Sequence, residues 1–145
     1  MAKVSTYLNF DRQTEAAFTF YKSVFGTEFV AEITRMGDVP AQAGLPEMSA
    51  EDRQLVMNVA LPILGGHLLM GTDILESMGM TLIQGNNVHI SLHPDTRGEA
   101  DSLFAALSDG GTVGMEMADQ FWGDYFGSLT DRFGINWMIN CAGKS

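Results

Sequence analysis

Val4-Ser5-Thr6-Tyr7-Leu8-Asn9-Phe10 places Thr6, Leu8 and Phe10 on one face and Ser5, Tyr7 and Asn9 on the other, the period-two pattern of a strand. Between Asp11 and Gly26 the period changes. Thr14 and Glu15 open a stretch in which Ala17, Phe18, Tyr21, Val24 and Phe25 recur at helical spacing, and Gly26 supplies a stop. Phe29 to Met36 reads as a second strand, and Gly37 to Arg53, with Pro40 and Pro46, reads as a loop. Gln54 to Pro62 and Gly66 to Met70 form a hairpin-like pair of apolar runs ending at Asp73, and residues 74–86 have the character of a linker.

The pattern then starts again. Val88 to His93 reads as a strand, Gly98 to Leu107 as a helix, and Gly110-Gly111 as its stop. Subtracting 15 from 99 gives an offset of 84 between Glu15 and Glu99, and the same offset carries Leu8 to Leu92, Ala16 to Ala100, Phe20 to Phe104 and Gly26 to Gly110. Val113 to Phe121 and Tyr125 to Cys141 supply the remaining strands. The expected fold is α+β: two βαβββ modules, 1–73 and 87–145, joined by the linker 74–86 within one domain spanning 1–145. The alternative is an α+β domain with two merely similar amphipathic helices, but five matches at one fixed spacing favour the repeat.

Composition narrows the function. At 46% hydrophobic and 18% charged, 145 residues can bury a core. Eighteen acidic against eight basic residues leave a net charge of −10, which argues against nucleic-acid or membrane-surface partners, because no Lys/Arg stripe exists to meet phosphate. Cys141 is the single cysteine, so an internal disulfide or Cys-rich zinc site is excluded; with no signal-like start or membrane-length apolar run, a cytoplasmic protein is expected. There is no Gly-x-Ser-x-Gly elbow, and neither Gly65-Gly66 nor Gly110-Gly111 opens a helix as a phosphate or dinucleotide loop would.

The segments FDRQTEAAFTFYKSVFGTEF and FWGDYFGSLTDRFGINWMINC resemble the PhnB-like branch of the vicinal-oxygen-chelate superfamily, which includes glyoxalase I, extradiol dioxygenases and bleomycin-resistance proteins. The motif residues are the helix end FYKSVFG and Phe121-Trp122-Gly123-Asp124 followed by Gly127, Asp131, Phe133-Gly134 and Trp137. The chain departs from the family pattern at Tyr125, Arg132 and Asn136, where Arg, Pro and His are usual. Members are often labelled as resembling a 3-demethylubiquinone 3-methyltransferase, yet no Gly-rich loop for S-adenosylmethionine follows the first strand.

The resemblance implies a cup-shaped glyoxalase-like fold, a homodimer with composite pockets at its interface, and a divalent metal held by His and Glu from equivalent strands. Onto those positions fall His89, its repeat partner Ser5, and Met70 and Met138 where Glu is expected. Thioethers and a serine hydroxyl are poor ligands for Zn, Ni, Mg or Fe(II), so the ancestral site is expected to be lost. The leading expectation is a small-molecule-binding protein whose cup uses Tyr7, Asn9, Met70, His89, Ser91, Trp122 and Met138. A second is a metal-dependent lyase, isomerase or dioxygenase with a relocated site at His89, His93 and Glu116. A third is a structural or interaction module whose cup is filled by its own side chains. The other methionines in predicted strands, Met36, Met57, Met115 and Met117, are most simply core.

Overall fold

The computed structural model describes residues 1–40 and 47–143. Two compact units are present, Met1–Ile83 and Gln84–Ser145, each built on a four-stranded sheet.

In the first unit, β1 (Thr6–Phe10) leads into α1 (Thr14–Phe25), followed by β2 (Thr34–Arg35), a short α2 (Ala50–Gln54), β3 (Val56–Pro62) and β4 (Leu68–Asp73). The sheet order is β1-β4-β3-β2, with β1 parallel to β4 and the other pairs antiparallel. The apolar stripe of α1 buries Ala17, Phe18 and Tyr21 completely, and Phe10, Val59, Leu61 and Leu69 join them in the core. Each such large side chain contributes about 1.5–3 kcal/mol by leaving water. Helix and sheet pack closely at Gly71, where an added Cβ would stand 2.5 Å from the Phe18 ring. Gly26 ends α1 in the left-handed region at φ 66°, as the stop signal predicts.

The second unit repeats the plan with β5 (Ile90–Leu92), α3 (Arg97–Ser108), β6 (Thr112–Asp119), β7 (Tyr125–Thr130) and β8 (Asn136–Cys141) in the order β5-β8-β7-β6. β5 runs parallel to β8. Leu8 pairs with Gly71 in the first sheet, and Leu92, 84 residues later, pairs with Ile139 in the second. The repeat is therefore a repeat of topology as well as of sequence. Its core gathers Leu103, Phe104 and Leu107 of α3 with Leu92, Leu129, Trp137, Ile139 and Cys141 of the sheet.

Three expected elements differ. The strand expected over Phe29–Met36 shrinks to Thr34–Arg35, because the register against β3 shifts between those two residues and a 3-10 turn, Met36–Asp38, follows at once. Val30 still donates its N–H to the Ala60 carbonyl, so the chain tracks β3 without forming a regular ladder. Within the expected loop Gly37–Arg53, Ser49 caps α2 by accepting the Asp52 N–H on its hydroxyl, a Ser-x-x-Asp signal that the sequence carries. Residues 41–46 of that loop, with Pro46, lie outside the described residues. The strand expected over Val88–His93 covers only Ile90–Leu92: the Asn136 side-chain amide donates to the Gly85 and Val88 carbonyls and holds the preceding segment in place of a ladder.

Candidate functional site

Each sheet has a helix-covered face and an open face, and strand alternation decides which residues reach the open one. In the first unit Leu69, Gly71 and Asp73 of β4 are buried, so Met70 and Thr72 turn the other way. Register places Tyr7 opposite Met70 and Asn9 opposite Thr72. Tyr7 is half exposed, and Ser5, just before β1, directs its hydroxyl to the Met70 sulfur at 3.6 Å. Tyr7, Asn9 and Met70 thus share one face.

In the second unit Trp137, Ile139 and Cys141 are buried while Asn136, Met138 and Asn140 are partly exposed. Met138 pairs with Ser91 on one side and with Ser128 on the other. Trp137 belongs to the covered face. The open face also carries Phe126 opposite Asn140 and Thr130 opposite Asn136; the Thr130 hydroxyl donates to Asn136 Oδ1 at 2.8 Å, and Asn140 Nδ2 to Asp124 at 3.0 Å. Ser128 and Asn140 were not among the expected site residues, although alternation along 125–130 and 136–141 contains the signal.

The remaining candidates are dispersed. His89 is exposed and sits one residue before β5; His93, one residue after it, shares a hydrogen bond of 3.1 Å with the Ser91 hydroxyl. Glu116 lies on β6, at the opposite edge of the sheet from β5. Three strand spacings of about 4.8 Å put those edges about 14 Å apart, whereas side chains sharing a metal must bring their donor atoms within about 2.0–2.2 Å of one point. His89, His93 and Glu116 are not brought together, and among the described residues no group of three His, Cys, Asp or Glu side chains is placed to hold a metal ion. Ser5, Met70, His89 and Met138, the residues onto which the resemblance carries the superfamily's ligands, offer a hydroxyl, two thioethers and one imidazole. His67 bonds through Nε2 to the Thr6 hydroxyl at 2.9 Å, and Cys141 is buried.

Trp122 and Phe121 crown the β6–β7 hairpin, whose turn is closed by Gln120 N–H to Asp124 O and Gly123 N–H to Gln120 O. Beside that turn the Arg97 guanidinium forks onto the Asp119 carboxylate, donates to the Gly143 carbonyl and lies 4.6 Å over the Tyr125 ring. A cavity of about 500 Å³ there is lined by Arg97, Asp119, Gln120 and Gly123. Tyr125 Oη donates to Asp101 at 2.6 Å; that bond, then desolvation, lifts the phenol above its ordinary value of 10.0. Because the folded value is the raised one, the bond's stabilisation is present below the unfolded value and is lost as pH rises through the folded value. Asp101→Asn is accordingly expected to move one of the three tyrosines to lower pH in an alkaline absorbance titration, and an unchanged curve would dismiss the assignment.

Comparison with known proteins places this architecture. Residues 2–140 match the family described as 3-demethylubiquinone-9 3-methyltransferase. PA1353 from Pseudomonas aeruginosa is 30% identical, with a TM-score of 0.83 over 99% of this chain and 100% of that one. The PhnB protein from Bacillus cereus, 24% identical, superposes with a TM-score of 0.74 over 97% of this chain and 100% of that one. A glyoxalase/bleomycin resistance protein/dioxygenase family enzyme from Burkholderia phytofirmans, 19% identical, gives 0.62 over 94% and 97%; these last two likenesses show the fold alone. The chain belongs to the family described as 3-demethylubiquinone-9 3-methyltransferase, and it has the fold of the PhnB protein and of the glyoxalase/bleomycin resistance protein/dioxygenase family enzyme.

Proposed function

We propose that this chain binds a small, partly apolar molecule without a metal. Each unit offers its own open-face residues to such a ligand: Tyr7, Asn9 and Met70 in the first, and His89, Ser91 and Met138, with Trp122 as a rim, in the second. The observation that carries this reading is the pair of methionines. Both stand on the open face at the same place in the repeat, Met70 opposite Tyr7 and Met138 opposite Ser91, where the superfamily's chemistry calls for a carboxylate ligand. A thioether on a half-covered face adapts to apolar ligands, while neighbouring hydroxyls and amides orient them. Methyl transfer is not proposed, for want of a cofactor loop. The same reading makes the protein a cytoplasmic homodimer that engages neither nucleic acid nor membrane.

The test has two halves. Protein purified without added metal, and titrated by calorimetry with Ni, Zn, Mn and Fe(II), is expected to show no stoichiometric binding. A thermal-shift panel of small apolar molecules bearing hydroxyl or carbonyl groups is expected to yield compounds that raise the Tm, with the effect reduced about tenfold in affinity by Met138→Glu, which places a charge against the ligand's apolar part. Tight stoichiometric metal binding lost in His89→Ala would overturn the reading in favour of a lyase, isomerase or dioxygenase. A panel with no stabilising compound would overturn it in favour of a structural module.

A further inference from the structure

Two asparagines stand on the open face of the second sheet, and their hydrogen bonds differ in one respect. Asn136 is used at both ends: its amide nitrogen donates to the Gly85 and Val88 carbonyls, and its Oδ1 accepts the Thr130 hydroxyl. Asn140 is used at one end only, where its amide nitrogen donates to the Asp124 carboxylate at 3.0 Å. A carboxylate accepts and does not donate, so Asp124 can hold this amide only by its nitrogen. The orientation is therefore fixed by chemistry, and the end left over is an acceptor. Among the described residues Asn140 Oδ1 has no donor, and the side chain is half-buried.

The surroundings of that oxygen are apolar. Antiparallel register sets Asn140 opposite Phe126 and Met138 opposite Ser128, and period two turns all four to one face. They alternate as a ring, an amide, a thioether and a hydroxyl over an area about 5 Å across the strands and about 7 Å along them, close to the footprint of one aromatic ring. Phe126 is steadied by Trp122, at 6.1 Å between centroids and 63° between planes. A ring and a thioether both favour an aromatic body beside them. The Ser128 hydroxyl can donate or accept and so does not discriminate, whereas Asn140 Oδ1 can only accept.

We infer that Asn140, oriented by Asp124, selects ligands that bring a hydroxyl or N–H donor on an aromatic body, and discriminates against those whose polar groups are acceptors alone. A ligand acceptor set against Oδ1 displaces the water on both oxygens and forms no bond in exchange. This inference rests on the small-molecule reading and specifies the polar end of that ligand.

The compounds p-cresol and 4-methylanisole test it, because they share a methyl-substituted ring and differ in whether its oxygen carries a proton. The readout is the Met138 ε-methyl resonance in the full chain, assigned by its loss in Met138→Leu. The Trp137 indole N–H, buried and bonded to Asp131, reports that the second unit is folded. The phenol is expected to give a saturable shift about tenfold tighter than the ether. Asn140→Leu removes the acceptor, and Asp124→Lys puts a donor where the carboxylate stood, so that the amide turns its nitrogen outward. In each variant the preference is expected to fall to about twofold or less, with the Trp137 resonance in place. No saturable shift with p-cresol, equal affinities in the unaltered chain, or a preference kept in either folded variant would overturn the inference. Thermal-shift compounds that bear only carbonyl oxygens and stabilise as well as the hydroxyl-bearing ones would refute selection by Asn140 and leave the small-molecule reading standing. A panel with no stabilising compound would remove both, so the two failures are distinguishable.

Discussion

Asp73→Ala is expected to lower folding stability by about 4 kcal/mol, because it strips three donors of a buried, charge-assisted partner. Asp73 is 4% exposed; Oδ1 accepts the Thr14 N–H at 3.1 Å and the Thr14 hydroxyl at 2.7 Å, and Oδ2 accepts the Val56 N–H at 2.9 Å. Gln13, at the N-cap of α1, gives no side-chain bond, so a carboxylate from β4 satisfies the helix's first turn from across the chain. One side chain thus ties α1, β3 and β4 together. Thr14 is wholly buried, and water cannot replace the lost acceptor. For a domain of this size the change corresponds to a fall in Tm of about 10 °C or more. Asp73→Asn keeps the shape but turns an amide N–H toward a donor, and about half the loss is expected. The control is Asp109→Ala, whose bridge to Arg132 at 3.0 Å is well exposed and contributes less than about 1 kcal/mol. Equal Tm values for the Asp73 and Asp109 variants would refute the role given to Asp73.

Asp73 also shows what was legible in the sequence. The helix stripe of α1, its Gly26 stop and the offset of 84 are local or periodic signals, and they delivered the two-module fold. A carboxylate that caps a helix 59 positions earlier is not a local signal. The same limit explains the short strands. The sequence of Phe29–Met36 is apolar enough for a strand, but pairing at a sheet edge is decided by the register of β3, which slips at Thr34/Arg35. At the candidate site, the open-face placement of Met138 depended on register too. A slip of one residue would have brought Trp137 out, and the pairing of Met138 with Ser91 and Ser128 excludes that arrangement. His89 and Glu116 had the right chemistry for a metal, yet strand order separates them, and strand order is a long-range property.

The motif through Asp131, Phe133-Gly134 and Trp137 is explained by stability, and Asp131→Ala is expected to cost about 4 kcal/mol, as much as the change at Asp73. Asp131 is 3% exposed; Oδ1 accepts the Phe133 and Ile135 N–H groups at 2.8 and 3.1 Å, and Oδ2 accepts the Trp137 indole N–H at 2.9 Å. Gly134 completes the turn at φ 88°, a conformation that other L residues rarely adopt. The carboxylate therefore shapes the β7–β8 turn and anchors the largest side chain of the core in one step. Asp131→Asn can keep the turn through its carbonyl but sets an amide N–H against the indole N–H. In a Trp137→Phe background that conflict disappears, and a double-mutant cycle is expected to return a coupling of about 1–3 kcal/mol. Additive losses would show that the turn and the indole are held independently. Trp137 and Met138 are neighbours in sequence on opposite faces of β8, one covered by α3 and one open. Below its lowered Tm the Asp131→Asn variant should therefore keep the ligand affinity that Met138→Glu loses, which separates the residues that build the sheet from those that use it.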